Sequence, residues 1–449
     1  MYLPRDKIYL LAGLLGAVGI VTVAYGFAYR FSGPALFRYF EVWSWAFLLC
    51  LVALARGTML FPTEPDARIE LPRWITPLVT AATLLSSFYF WLPTRLALTA
   101  AIAVIVVCAG LYRLQRDRAC IPFLLMAGFA LCCYAVARIP IDRNTADMLP
   151  VIADANNFLL SGHDPYAQTY TNLFVYLPVQ WLVFLPPVLA GIDPRSINLV
   201  GFAVVGLLIV WLVRSGRLHE VVLLGIGPIM LSRTSVEMIL RGQVWPVWAL
   251  LAGFAATLLS PGKFWPAILL GLLLATQQPM VALAALTGVW LLFHRGFAPA
   301  LRVTLIAATV FAVIMAPWLI LRPTLLFDLY IRLPLVFAQN HVVDLSWDLS
   351  EVSILDLLQN LGLKSVRAAL QAATVVAGML YLAVSRNVRL GTFLCTMGLV
   401  YLIAISLNVQ VFKYYYYPGF LLLATGLAVP HGLAGIGGDR SPRQSGGRA

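Results

Sequence analysis

Apolar residues run through this chain in long blocks, broken by short polar connections, without the brief alternations of a soluble fold. Fifteen such segments stand out: 8–29, 42–55, 76–92, 96–112, 121–138, 173–190, 197–213, 220–232, 244–260, 264–275, 280–294, 301–321, 367–384, 391–408 and 416–429. Ile8–Tyr29, Arg95–Tyr112, Ile121–Ala137, Ile197–Val213, Val303–Leu321 and Leu390–Leu407 approach or reach the ~20 residues that a bilayer-crossing helix needs. The pattern predicts an all-α, polytopic integral membrane protein. The first segment lacks a small-residue cleavage site, so a retained helix is expected there.

Orientation follows from the basic residues of the short loops. Arg5 and Lys7 precede the first segment; Arg56, Arg68 and Arg73 lie between the second and third; Arg113, Arg116 and Arg118 lie between the fourth and fifth. All share one side, which the rule makes cytoplasmic, and the loop 139–172 then lies outside. Working back from the basic tail (Arg440, Arg443, Arg448), the loop 322–365 lies outside too. Seven segments separate these two loops, one too many for loops on the same side. One of 220–232, 264–275 and 280–294 is therefore expected to be re-entrant or shared, leaving about 14 spans with both termini inside.

The outer loop 139–172 interrupts this pattern most strongly. It holds Asp142, Asp147, Asp154 and Asp164 in a chain with nineteen acidic residues, and the second outer loop adds Asp328, Asp344, Asp348, Glu351 and Asp356. Carboxylates at a bilayer edge are costly unless they face water or a substrate, so they mark a candidate site, with an ordinary wet loop as the plain alternative. Asp147–Leu160 carries apolar residues at helical spacing and predicts an interfacial helix. The chain divides into a four-helix region (1–120), a core with both outer loops (121–365), three closing helices (366–430) and a Gly/Arg/Ser-rich disordered cytoplasmic tail (431–449).

Composition sharpens the setting. Of 449 residues 61% are hydrophobic and 11% charged, with mean hydropathy +0.88; soluble chains carry about 25% charged residues. The net charge of +12 is met by arginines that anchor helices against anionic headgroups. No basic stripe sits on a soluble domain, so no nucleic-acid partner is expected. The six cysteines lie in or beside apolar runs without zinc-ligand or disulfide spacing and read as packing residues.

One run carries a resemblance. Ala146-Asp147, Ala155, Leu159-Leu160, Gly162, Asp164-Pro165-Tyr166 and Tyr176-Leu177-Pro178 resemble the signature of glycosyltransferase family 87, within the GT-C superfamily of polyprenyl-phosphate-dependent transferases. Gly242-Gln243, Ala316-Pro317-Trp318 and Asn340 fit the same order, and the similarity covers roughly residues 140–345. The chain departs at Thr276-Gln277-Gln278-Pro279, where the family often has Lys-Pro, and in the four segments preceding the Asp loop. The resemblance implies a GT-C-like fold and inverting transfer of a sugar, mannose or arabinose type, from a polyprenyl-phosphate donor. The acceptor is a lipid-linked or cell-envelope glycan, and the reaction faces the outside of the cell membrane.

Such chemistry needs a carboxylate to take the acceptor proton and cations to hold the departing phosphate. The resemblance makes Asp147 the base, with an N-cap as its structural alternative; Asp154 and Asp142 come next. Asp164 before Pro165 reads mainly as a turn residue. Arg241, Arg322, Arg332 and Lys413 are the outward cations, each also readable as a snorkelling anchor. Tyr166, Tyr176, Gln243, Asn340, His341 and Tyr415 are the candidate substrate contacts, and the run Tyr414–Tyr417 reads alternatively as an interfacial aromatic belt. No cofactor is expected, and no Asp-x-Asp pair in the outer loops points to a metal site, although scattered carboxylates leave a divalent ion open. A lipid or glycan transporter or flippase is the competing class, and it predicts ionisable residues deep within spans.

Overall fold

The computed structural model describes residues 2–4, 68–70, 73–116, 119–141, 148–168, 176–219, 222–260, 264–332, 366–385, 388–408 and 413–430. These are helical apart from turns and one antiparallel pairing, β1 (Tyr2–Pro4) with β2 (Arg68–Glu70). Asp142, Asp147, Asn340, His341, the segments 8–29 and 42–55 and the tail 431–449 lie outside the described residues.

Proline and glycine punctuate the apolar runs. α1 (Ile75–Trp91) and α2 (Thr94–Arg113) part at Pro93, and α3 (Cys120–Arg138) ends just before Pro140, because a residue preceding proline is pushed out of the helical region. α4 (Met148–Leu160) closes where Gly162 takes φ +75° and His163 N–H bonds the Phe158 carbonyl at 2.9 Å, a helix end that only a left-handed residue makes cheaply. Next come α5 (Pro178–Leu182), α6 (Leu185–Ala190), α7 (Arg195–Arg214), α8 (Val222–Leu231), α9 (Arg233–Arg241) and α10 (Trp245–Leu258). α11 (Trp265–Leu274), α12 (Met280–Arg295), α13 (Phe297–Leu321), α14 (Arg367–Val384), α15 (Leu390–Ser406) and α16 (Tyr417–Ala428) complete the bundle.

Five helices, α2, α3, α7, α13 and α14, are long and apolar enough to cross a membrane, and the pair α9–α10, bent by 119°, would make a sixth. α1, α11, α12 and α15 are shorter apolar helices. One apolar core runs from Leu84 to Val429, through Trp245, Phe393 and Phe420. A second, smaller one joins α4, α5 and the end of α13 through Leu149, Ile152, Trp181, Phe184, Met315 and Trp318.

Contacts sort the helix ends into two sets. At one end, called here the far end, Arg217 donates to Ser260, His219 N–H bonds the Ala428 carbonyl at 2.8 Å, and Trp290 Nε1 bonds the Val388 carbonyl at 3.2 Å. At the other, the loop end, Arg195 Nη1 donates to the Ile139 carbonyl at 2.5 Å, Asn198 Nδ2 to the Gly242 carbonyl at 2.8 Å, and Tyr414 Oη to Met148 Sδ at 3.5 Å.

The Arg195–Ile139 bond overturns one expectation. Segment 173–190 does not traverse the bundle, because α7 begins at the end where α3 stops. Pro178 opens α5, Pro186 and Pro187 open α6, and Gly191 at φ +63° turns the chain back. α5 and α6 thus enter and leave at the same end of the bundle. A second expectation shifts as well. The buried face of α4 (Leu149, Ile152, Ala155, Asn156) is covered by the chain itself, so α4 rests on protein.

Candidate functional site

Among the carboxylates on described helices and their connections, Asp154, Asp164, Asp193, Glu237 and Asp328 all belong to the loop end. Two groupings form there, joined by α4.

The first is built on the turn after α4. Asp164 Oδ1 accepts from Tyr166 N–H at 2.9 Å, which is the turn role read from its place before Pro165. Its Oδ2 accepts from Arg322 Nε at 2.7 Å, tying the first loop to the end of α13. The Arg322 side chain is 35% exposed, and its Nη1 and Nη2 have no partner among the described residues. Tyr166 Oη donates to the Tyr176 carbonyl at 2.9 Å and accepts from Trp181 Nε1 at 3.2 Å. The rings meet edge to face, with centroids 6.2 Å apart for Tyr166–Trp181, 5.7 Å for Tyr166–Trp318 and 5.1 Å for Trp181–Trp318, the arrangement that aromatic quadrupoles favour. Burial, foremost, and the Asp164 charge push the Tyr166 hydroxyl up, against the opposing bond from Trp181, so it remains a donor across the physiological range. Beyond α13, Arg332 pairs with Asp328 at 3.4 Å and points largely into solvent, and burial pushes Tyr330 up to about 12.

Polar atoms without a partner in the chain concentrate here. Of eight such buried side-chain atoms among the described residues, four sit around this grouping: Asn156 Oδ1, both amide atoms of Gln180, and Tyr330 Oη. Asn156 Nδ2 donates to the Ile152 and Trp181 carbonyls at 3.0 and 3.1 Å, which fixes α4 to α5 beside Gln180.

The second grouping surrounds α9. Ser232 caps this helix by accepting from Ser235 N–H at 3.1 Å. Thr234–Leu240 is buried throughout, so Glu237 is held inside the loop end of the bundle, paired with Arg241 at 3.3 Å. Arg241 is 42% exposed. Gln243, in the bend to α10, is buried with Oε1 lacking a partner. The tyrosine run packs inward. Tyr414, Tyr416 and Tyr417 are buried, Tyr417 Oη lies 2.6 Å from Ser232 Oγ, and its ring stacks on Trp248 at 5.2 Å. The aromatic-belt reading therefore fails for these three, and Tyr415 is the partly exposed member.

The structure thus brings Tyr166, Tyr176 and Arg322 together in one place, and Arg241, Gln243 and Tyr415 in another. Asp154 lies partly buried on α4 between them. Lys413 opens the turn Lys413–Tyr416 beside the second grouping. Eight residues of α4, roughly 12 Å of helix, separate Met148 at Tyr414 from Asn156 at Trp181.

No family model, no curated protein and no solved structure matches the chain. Among the described residues no cluster of three or more His, Cys, Asp or Glu could hold a metal ion. Residues that the sequence reading passed over are Asn156, Gln180, Trp181 and Tyr330. Gln180 had a visible signal, as a lone carboxamide inside the apolar run Leu177–Leu185, and polar groups set in such runs are usually there for a purpose.

Proposed function

We propose that the chain is a polytopic GT-C-like membrane glycosyltransferase. It transfers a mannose- or arabinose-type sugar from a polyprenyl-phosphate donor to a lipid-linked or cell-envelope glycan at the extracytoplasmic face of the cell membrane. The observation that carries this reading is the Asp164–Arg322 pair. It joins the Asp-Pro-Tyr turn, which bears the family resemblance, to the cation at the mouth of the second outer loop. The far end, with Arg113, Arg214, Arg217 and Arg295, faces the cytoplasm in this reading. Counting α8 with α9 as one span, and α1–α3, α7 and α10–α16 as one each, gives twelve. The apolar segments 8–29 and 42–55 then raise the total to fourteen.

In the reaction, the acceptor hydroxyl oxygen attacks the anomeric carbon while the bond from that carbon to the phosphate oxygen breaks. The hydroxyl proton passes to the Asp147 carboxylate, with Asp154 and Asp142 as the next candidates. The electron pair of the broken bond leaves on the polyprenyl phosphate, and the free Nη groups of Arg322 suit two of its oxygens. Arg241, Arg332 and Lys413 are the other cations within the two groupings, and Asn340 and His341 of the second loop are candidate acceptor contacts. Asp147→Asn keeps the shape and most of the capping ability but removes the basicity. It is expected to fold, insert and bind donor, and to transfer sugar at about a hundredth of the wild-type rate or less. Near-normal transfer by this variant, with loss in Asp154→Asn or Asp142→Asn, would relocate the base; no effect in any of the three would remove the enzyme reading.

One observation favours the transporter alternative: Glu237 is an ionisable group held within the bundle, and such groups often line transport paths. In that case Glu237→Gln would abolish movement of a glycolipid across the membrane of proteoliposomes while no donor supports transfer.

A further inference from the structure

The second, smaller core lies in a depression of the loop end. Gly271 of α11 packs directly on Ala307 and Val310 of α13, which places Ala275 at about the level of residue 312. α13 continues to Leu321, roughly 10–15 Å further out. The turn after α11 is thus sunk beneath the rim, and the chain fills the space from above: Val179 N–H bonds the Ala275 carbonyl at 2.9 Å, with Leu177, Trp181 and Phe184 fully buried. Non-helical backbone at membrane depth survives only where protein covers it or where it lines a polar cavity.

Gln180 follows the Val179 that bonds this sunken turn; it is 1% exposed, and neither amide atom has a partner among the described residues. Asn156 Oδ1 and Tyr330 Oη, from two other elements that pack on the same core, are also buried and lack a partner among the described residues. Buried polar groups in native proteins are nearly all hydrogen-bonded, so each exception calls for a partner from outside the chain. Together these groups, carried by three elements that meet around this core, offer a donor–acceptor amide, a carbonyl-type acceptor and a hydroxyl. None of the three is itself charged, and the Asp164–Arg322 pair ties the turn after α4 to the end of α13, both of which border the same core.

We propose that Gln180, with Asn156 and Tyr330, recognises the hydroxyls of a sugar headgroup, and that Gln180 is the residue on which the distinction between a sugar-bearing and a sugar-free polyprenyl phosphate rests. The proposal rests on the glycosyltransferase reading for its ligand, and it separates two duties in the site. The arginines take the phosphate, which both lipids carry, and the uncharged amides and hydroxyl take the sugar, which one of them lacks. A pocket built to hydrogen-bond hydroxyls discriminates strongly against a ligand without them, since its own polar groups are then left unpaired.

The test is binding of polyprenyl-phosphate mannose, polyprenyl-phosphate arabinose and polyprenyl phosphate to the purified full chain in nanodiscs, with wild type beside Gln180→Met. Methionine keeps the length and volume of glutamine and removes its hydrogen bonding. Wild type is expected to bind one sugar lipid more tightly than the sugar-free lipid. In Gln180→Met that preference should fall about ten-fold or more, with affinity for polyprenyl phosphate within about two-fold of wild type. The unliganded variant should melt at or above the wild-type temperature, because an unpaired buried amide has been removed. An undiminished sugar preference, or an unliganded variant that melts well below wild type, would overturn the proposal, the latter because it would show an amide already satisfied within the fold. A Gln180-dependent sugar preference without transfer from any donor would sink the enzyme reading alone. Transfer with a preference indifferent to Gln180 would sink this inference alone.

Discussion

Asp164 shows how one side chain can hold a role that a sequence reveals and another that it hides. The turn role is local, set by Pro165 and by an N–H two residues on, and such short-range chemistry is written in neighbouring letters. The bond to Arg322 spans 158 positions, and nothing near Asp164 in the chain announces it. The same holds for Gln180 and Glu237, whose burial depends on which helices close over them. Arg322, by contrast, is visible as a candidate, and its geometry fits the role: one nitrogen is fixed by a carboxylate while two have no partner among the described residues. Replacing Arg322 with Ala should weaken polyprenyl-phosphate binding by about 1.5–3 kcal/mol, ten-fold or more, read by titration with sugar-free lipid. Asp164→Asn, which keeps the turn acceptor, should weaken it less. Unchanged affinity in Arg322→Ala would move the phosphate to Arg241.

Among the elements, hydropathy located most helices within a few residues, because burial in lipid and burial in protein select the same apolar side chains. It failed in two instructive places. α9 escaped notice since Arg233-Thr234-Ser235 and Glu237 make it polar, and only the surrounding bundle turns it inward. Segment 173–190 was read as a crossing because apolar content reports compatibility with a membrane and is blind to direction. Here Pro178, Pro186, Pro187 and Gly191 decide direction. The consequence is measurable with His163→Cys and Ile192→Cys, two exposed positions on either side of the dip, each placed in an otherwise cysteine-free chain. An impermeant thiol reagent should label both from the same side of sealed cells or vesicles. Labelling from opposite sides would restore a crossing and undo the arrangement of α5 and α6.

For the molecule as a whole, the closing helices are welded to the core by small residues. A Cβ on Gly398 of α15 would come 2.6 Å from the Gly419 carbonyl of α16, and one on Gly426 would meet the Gly391 carbonyl at 2.7 Å. Where lipid replaces water outside the bundle, such close backbone approach supplies much of the association energy. Gly398→Val must push apart two backbones, and a cost on the order of 1–3 kcal/mol is expected, seen as a lower melting temperature in detergent. Tyr414, Tyr416 and Tyr417 sit at the head of α16 and should loosen with it; a variant as stable as wild type would mean that the pair has room to separate. The sunken turn after α11 carries a different consequence. Because α11 stops roughly 10–15 Å short of the rim of α13, the apolar thickness of the molecule is uneven around its perimeter. A bilayer matched to α13 would overshoot α11, and a bare step of that kind would oblige lipid to thin or tilt. α5 and α6 occupy that step instead, so these short helices work as a shim that makes up the thickness α11 lacks.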